Sequence, residues 1–598
     1  ESTGQEAAST FDKSGNFTMP RDTSDKNNNR REKLGISDQP FNAFVGRLLK
    51  NSEIKSDPAA QAAILSELGK LRAADAWSES TVTEWSLVRD SAVRSGKKVH
   101  VGRLHAIAAE KGSELPLGHP ERKMKGRIVF LGNNVRDEDG QAALFGDLSS
   151  TPVTMEASRM CDAFGLLSGH AIEQADAEEA YIQSPLGGTE TYIRLPKELQ
   201  PDSWKHMRDP VCKLVMSLYG HPDAGGFWQA HCKNALGSVG FIEVSESWQS
   251  LFYHPELKVM MAVYVDDFKA SGPVEALKKA WTLVRSKIRT GAPTPIGRYL
   301  GCHHNVVELK DRRVIEYDMR DFLEQCVSHY KKVCGEDVVL KKASTPFLDE
   351  DKLPEGDDNE PGKLADAACS VLMKVLYGAR LARFDPLKAV AGLAFKVTKW
   401  SVSCDKRLFR LMCYINDSKG LKMRGYVGRD DKAEDLFVRL FADADFAGCR
   451  DTARSTSGVF LGIYGKNTFV PVAAQAKKQS CVSHSTPEAE LVAANLALRT
   501  QGLPALEVFD KVFGRKVKLF FEEDNNTAIS TIKAGYSNTM RHLGRTHRVS
   551  LRWMHEVFQD GQCEIRRCDT LLQAADIFTK GFTCREKWVA ALNVIGIS

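Results

Sequence analysis

Two adjacent carboxylates at the end of an apolar run are the first residues in this chain that could do chemistry. Val259-Met260-Met261-Ala262-Val263 is unbroken in its apolarity, too short for a buried helix and bounded upstream by His254-Pro255-Glu256, so it reads as a buried strand. It delivers Tyr264-Val265-Asp266-Asp267-Phe268, after which Phe268-Lys269-Ala270-Ser271 alternates apolar with polar and stops at Gly272-Pro273. The pattern predicts a β-hairpin with Asp266 and Asp267 at its tip. A solvated tip would carry such a pair without any function. Charge brought in by a core strand is costly, however, unless a counter-charge meets it. Mg²⁺ answers that need, because it takes carboxylate and phosphate oxygens together. Phosphoryl transfer at such a site calls for a third acid presented in the same way. Asp176 fits, in Ala175-Asp176-Ala177-Glu178-Glu179-Ala180-Tyr181, with an aromatic five residues after it.

A second group of acids lies toward the C-terminus. Leu440-Phe441-Ala442-Asp443-Ala444-Asp445 reads as a strand ending in paired acids, and Ser455-Thr456-Ser457-Gly458-Val459-Phe460-Leu461 as an antiparallel second strand. Pro487-Glu488-Ala489-Glu490 opens a stretch rich in Ala and Leu up to Leu498, a good helix by propensity with acids in its first turn. Val517-Lys518-Leu519-Phe520-Phe521 is a strand leading to Asp524-Asn525-Asn526, and Ala574-Ala575-Asp576-Ile577-Phe578-Thr579-Lys580 supplies a last acid. Any one of these could be a helix cap or a solvated turn. Five such blocks in order make coincidence a poor explanation.

Asp176, four residues, Tyr181 and then the Tyr-x-Asp-Asp hairpin resemble motifs A and C of reverse transcriptases. The block Lys213-Leu214-Val215-Met216-Ser217-Leu218-Tyr219-Gly220, with Phe227-Trp228 after it, is similar to the copia type of LTR retrotransposon. The C-terminal blocks resemble the ribonuclease H of the same elements. The resemblance implies an α+β and α/β multidomain chain: a right-hand polymerase of fingers, palm and thumb, followed by a ribonuclease H-like domain with a mixed sheet. It divides the sequence into a disordered tail (1–36), a helical N-terminal segment (37–115), fingers and palm (116–344), thumb and connection (345–438) and ribonuclease H (439–598).

Carried over by motif, Asp176, Asp266 and Asp267 would hold two Mg²⁺ ions, with Mn²⁺ as a substitute, and Asp443, Glu490, Asp524 and Asp576 would hold two more. Asp445 and Glu488 match the spacing less well. Lys125 and Arg127, in Lys125-Gly126-Arg127, would meet the incoming triphosphate. Tyr181 would lie beneath the sugar and leave no room for a 2′-hydroxyl. Gly297-Arg298-Tyr299-Leu300-Gly301 resembles a turn that supports the primer end. The implied activity copies RNA into DNA and degrades the RNA of the hybrid. Its partners would be an RNA template, a primer, deoxynucleoside triphosphates, the RNA/DNA hybrid and other Gag and Pol products of the element, in a cytoplasmic virus-like particle and in the nucleus. Two blocks depart from the pattern. Pro222-Asp223-Ala224-Gly225-Gly226 stands where Gln-Ala-Pro-Arg is usual, and Arg545-Thr546-His547-Arg548 where Arg-Thr-Lys-His is usual. They leave room for an alternative, a decayed or repurposed copy that binds nucleic acid without polymerising.

The bulk sequence is consistent with such an enzyme. Its 598 residues, 42% of them hydrophobic, suffice for several cores, and no run approaches the ~20 apolar residues of a membrane span. The net charge of +5 permits a locally basic groove. The fourteen cysteines lack metal-ligand spacing and point to reduced thiols. The chain begins at Glu1 and reads as a piece of something longer, with any protease and integrase upstream of it. Within 60–76, Ile64, Leu65, Leu68, Leu71 and Ala74 share one predicted helical face, and 345–438 reads as mainly helical.

Overall fold

In a computed structural model the described residues are 46–598, apart from 112–117, 120–121, 144, 146–149, 350–352 and 355. The expected tail, 1–36, lies outside them. The architecture is mixed α/β, built on three sheets.

The first sheet has Gly46–Leu48, Val99–Lys111, Glu190–Arg194, Pro210–Leu214 and Trp77–Glu84 in that order, with Lys123–Phe130 paired antiparallel to Val99–Lys111. Helix Pro58–Ala73 starts at Asp57, whose side chain accepts from the Ala59 and Ala60 amides, and buries Ile64, Leu68 and Leu71. Leu65, expected on the same face, is 58% exposed and turned outward. The chain at Tyr219-Gly220 crosses this sheet's edge, where the Phe130 amide donates to the Tyr219 carbonyl at 2.7 Å. Gly220 has φ +88°, and a Cβ there would stand 2.1 Å from the Phe130 carbonyl oxygen, so only glycine fits.

His221 follows in the same crossing, between the rings of Phe130 and Phe145. Burial holds its pKa down to about 4. The unfolded chain takes up this proton near pH 6.5 and the folded chain only near 4, so stability falls as pH drops through that window. Relative to His221→Phe, the native chain is expected to lose up to about 3 kcal/mol between pH 6.5 and 4, measured by urea unfolding across that range.

The second sheet is antiparallel throughout, in the order Thr294–Pro295, His170–Asp176, Asp267–Pro273, Val259–Tyr264, Leu251–His254, Ile242–Glu243. Both of its faces are covered. Ala175, Val263, Phe268 and Ala270 pack with Trp228, Leu236 and Trp281 on one side, while Ile172, Met260 and Ala262 pack with Met160 and Phe164 on the other. Two-sided burial is the reason the strand at 259–263 carries no polar residue.

The third sheet has nine strands: Arg298–Tyr299, Cys302–Glu308, Arg312–Asp318, Met423–Gly428, Phe469–Lys478, Thr456–Tyr464, Phe437–Asp445, Leu519–Glu523 and Cys563–Arg567. The last two join in parallel, the rest antiparallel. Between 345 and 438 the structure has helices Ala368–Leu381, Leu387–Ala394 and Val402–Ser418, together with the strand Met423–Gly428. That strand pairs with Arg312–Asp318 on one side and meets Phe469 through Tyr426 on the other, so the nine-stranded sheet draws on all three of the expected segments from 116 onward. Among the described residues no helix is long and apolar enough to cross a membrane.

Candidate active sites

The hairpin forms as its sequence predicts, with Tyr264 opposite Asp267. Its tip is held from two sides. The Trp228 indole donates to the Val265 carbonyl at 2.7 Å, and the Ala177 amide to the Asp266 carbonyl at 2.7 Å. Val265 adopts φ +57°, a left-handed conformation that a β-branched residue takes only where its surroundings impose it.

Asp267 lies directly opposite Asp176 across the sheet. Burial pushes the Asp267 carboxyl up to about 7, helped by the charges of Asp266 and Asp176. Burial raises Asp266 as well, while Arg127 and Lys125 act on it in the opposite direction. Those two cations sit on strand Lys123–Phe130 of the first sheet and so reach the hairpin's electrostatic neighbourhood. The Arg127 guanidinium lies 4.6 Å from the centre of the Tyr219 ring, and Tyr219 meets Tyr181 edge to face at 4.4 Å. Arg127, Tyr219 and Tyr181 therefore touch in turn, and the Asp266 charge acts on both tyrosines. Asp223 begins helix Ala224–Ser238 without capping it, and burial raises its carboxyl. In the turn at Gly297 to Gly301, Leu300 has φ +50° and its carbonyl accepts from the Tyr377 hydroxyl at 2.9 Å.

The C-terminal acids converge on one end of the nine-stranded sheet. Asp443 comes from strand Phe437–Asp445 and Glu490 from helix Thr486–Ala497, which Ser485 caps. Asp524 follows strand Leu519–Glu523, and Asp576 opens the turn Asp576–Phe578. Oxygens of Asp443, Asp524 and Asp576 lie within 4.8 Å of one another, and so do oxygens of Glu490, Glu523 and Asp524. Among the described residues these are the two acidic sets that close so tightly. Asp176, Asp266 and Asp267 are neighbours without reaching that spacing.

Burial raises the carboxyls of Asp443, Glu490 and Asp576, and their mutual charges add to it for Glu490 and Asp576. Thr579 donates to Asp443, and Lys580 sits 2.6 Å from Asp576 and 3.9 Å from Asp443. The Thr579 segment crosses the strand at Gly458, where a Cβ would lie 2.7 Å from the Ala575 carbonyl oxygen. This close approach accounts for the glycine of the Ser-Thr-Ser-Gly block.

Asp445 and Glu488 have other partners. Asp445 pairs with Lys388 at 2.7 Å and accepts from the Thr456 amide. Glu488 lies 3.1 Å from His542 and 3.3 Å from His547. His547, from the departing Arg-Thr-His-Arg block, is thus turned into the protein. Glu523 was not foreseen. Its signal was the spacing Leu519, Phe521, Glu523, which on a strand places an acid on the face of two core residues.

Residues 118–333 match the family described as reverse transcriptase (RNA-dependent DNA polymerase). Much of the rest is similar to transposon polyproteins. The chain is 23% identical over 501 residues to the retrovirus-related Pol polyprotein from transposon TNT 1-94 of Nicotiana tabacum, covering 79% of this chain and 34% of that protein. It is 24% identical over 473 residues to the corresponding polyprotein from transposon RE1 of Arabidopsis thaliana, covering 77% and 29%. A Ty1-NL2 Gag-Pol polyprotein of Saccharomyces cerevisiae aligns at 23% over 346 residues, covering 56% and 19%. The chain spans about a third of the length of the first of these relatives. Among solved structures, a foamy viral protease-reverse transcriptase in complex with double-stranded DNA superposes loosely, with TM-score 0.40 and 10% identity over 89% of this chain and 84% of that one.

Residues 118–333 are thus similar to the reverse transcriptase family. More particularly, the chain is similar over a larger share of its length to Pol and Gag-Pol polyproteins of transposons.

Proposed function

We infer that this chain is an RNA-directed DNA polymerase that also degrades the RNA strand of its hybrid product. The observation that carries the reading is the pairing of Asp176 with Asp267, beside Asp266, inside the segment that matches the reverse transcriptase family. On this reading the sheet bearing Lys125 and Arg127 is the fingers, the sheet bearing the hairpin is the palm, 345–438 is thumb and connection, and 439–598 is ribonuclease H. Template, primer, deoxynucleoside triphosphates and hybrid would be its substrates, within a particle shared with other products of the element.

Asp176, Asp266 and Asp267 would hold divalent ions in the first site, and Asp443, Glu490, Asp524 and Asp576 in the second. The residues fit such ions: neighbouring carboxylates repel one another as anions unless a counter-charge joins them, and the C-terminal acids, more deeply buried and within 4.8 Å of one another, need it most. When bound, Mg²⁺ or Mn²⁺ supplies Lewis acidity at the phosphoryl oxygens and a lowered pKa for the attacking hydroxyl or water. The chain supplies the positioning. Lys125 and Arg127 offer fixed cationic donors to triphosphate oxygens, and Tyr181, braced edge to face on Tyr219, closes the space below the sugar. In the second site Thr579 and Lys580 fix Asp443 and Asp576, and selection of hybrid over duplex DNA follows from the 2′-hydroxyls.

The test is primer extension on an RNA template by the purified chain, with Mg²⁺ or Mn²⁺ added or removed. Ion-dependent extension is expected. A chain that binds the template-primer but does not extend it is the repurposed copy, with Asp223 at the position of departure. In the same assay Tyr181→Ala is expected to raise ribonucleotide over deoxyribonucleotide use by about tenfold or more, since the excluded hydroxyl is then admitted.

A further inference from the structure

Strand Leu519–Glu523 turns Leu519, Phe521 and Glu523 into the interior, each 0% exposed, while Glu522 pairs with Arg439 at 2.8 Å. Glu523 is therefore an acid at a core position. One of its oxygens accepts from the Asn525 amide at 3.1 Å, while the other is buried with no hydrogen-bond partner. The Oε2 atom of Glu490 is likewise buried and unpartnered. These two side chains and Asp524 bring oxygens within 4.8 Å of one another, and Asp524 also belongs to the set with Asp443 and Asp576. Lys580 serves that outer set, at 2.6 Å from Asp576. Asp524 stands half-buried at the outer edge of the inner set and accepts from the Thr570 hydroxyl at 3.2 Å, while the unpartnered Glu490 and Glu523 oxygens form its buried end. Such an arrangement is stable only around a proton or a hard cation.

We propose that Glu523 makes Glu490, Glu523 and Asp524 a divalent-cation site of their own, bridged through Asp524 to the outer set, so that the C-terminal domain binds two ions before nucleic acid arrives. The proposal rests on the reading above that the C-terminal acids hold divalent ions. It adds a fifth carboxylate that the family motifs do not supply. Oxygen-ligand sites for hard cations are tuned by the number of charged ligands, and a fifth acid raises affinity without help from substrate phosphates.

The experiment uses the full chain with Asp176→Asn and Asp266→Asn, which silence the other acidic cluster, titrated with Mn²⁺ in the absence of nucleic acid and followed by the electron paramagnetic resonance of free Mn²⁺. Two ions per chain are expected. Glu523→Gln is expected to retain one ion and bind the second at least about tenfold more weakly, while Glu523→Asp restores it. Melting in EDTA checks that each variant is folded, and if Glu523→Gln is not, the comparison with Glu523→Asp decides. Unchanged affinity for both ions in Glu523→Gln overturns the proposal, as does a parent chain that binds only one. Asp443→Asn separates the two levels. If it removes an ion and Glu523→Gln does not, the four-acid site stands and Glu523 is a buried structural acid; if neither changes binding, both fail.

Discussion

An Asp266→Asn chain is expected to lose RNA-templated primer extension by about a thousandfold or more while still cutting the RNA of a preformed hybrid, and an Asp443→Asn chain to show the reverse. Exchanging a carboxylate for an amide removes one negative charge from a site that the proposed chemistry needs for ion binding. Ion-derived stabilisation of several kcal/mol then disappears, and about 4 kcal/mol corresponds to about a thousandfold in rate. The separation follows from the architecture. Asp266 sits at the tip of a hairpin in the six-stranded antiparallel sheet, whereas Asp443 belongs to the nine-stranded sheet. The elements around the two sheets are joined by structural bonds, such as those from Arg159 of helix Met155–Gly165 to the carbonyls of Val472 and Leu381, each at 2.5 Å. Parallel assays on one preparation of each variant check the result. Proportional loss of both activities in either variant would mean that the two acidic clusters do not act independently.

Much of this arrangement was legible because its decisive signals are local. The unbroken apolar run at 259–263 implied burial on both faces, and the sheet is in fact covered by separate clusters on its two sides. The C-terminal blocks each end a strand or start a helix, so their acids were foreseeable one at a time. What the sequence hid depends on distant partners. Met423–Gly428 is a short strand of MRGYVG after a long helix, and what recruits it is the free edge of Arg312–Asp318, a hundred residues upstream. Leu65 falls within the apolar arc of its helix, but Lys123–Phe130 covers only the side that buries Ile64, Leu68 and Leu71. Glu523 sits in Glu522-Glu523-Asp524, a run that reads as a solvated strand end. Its burial depends on distant residues, the Glu490 carboxylate of helix Thr486–Ala497 among its neighbours.

The buried pair of Lys269 and Asp162 carries the largest expected effect on stability. Lys269 lies two residues beyond Asp267 on the returning strand of the hairpin, and its ammonium is 2.8 and 2.9 Å from the two Asp162 oxygens and 2.8 Å from the Ser158 hydroxyl. Tyr317 donates to Asp162 at 3.0 Å, and the ammonium also stands 4.4 Å from the centre of the Tyr299 ring. Both charged side chains are 0% exposed, so each is the other's counter-charge in the core. Asp162→Asn keeps the shape and leaves an uncompensated cation in the core, an expected loss of about 3–5 kcal/mol in unfolding free energy. Lys269→Met strands the carboxylate in the same way. The double variant Asp162→Leu with Lys269→Met removes both charges together, and apolar replacement of a whole buried pair is often neutral or better. It is therefore expected to be more stable than either single variant, a strongly non-additive cycle readable by urea denaturation. Because the pair ties the returning strand to helix Met155–Gly165, the single variants should also loosen the strand that holds Asp267 opposite Asp176, detectable as faster amide exchange in Asp267–Pro273. Additive losses in the cycle, or an Asp162→Asn cost below about 1 kcal/mol, would show that the two charges do not depend on each other.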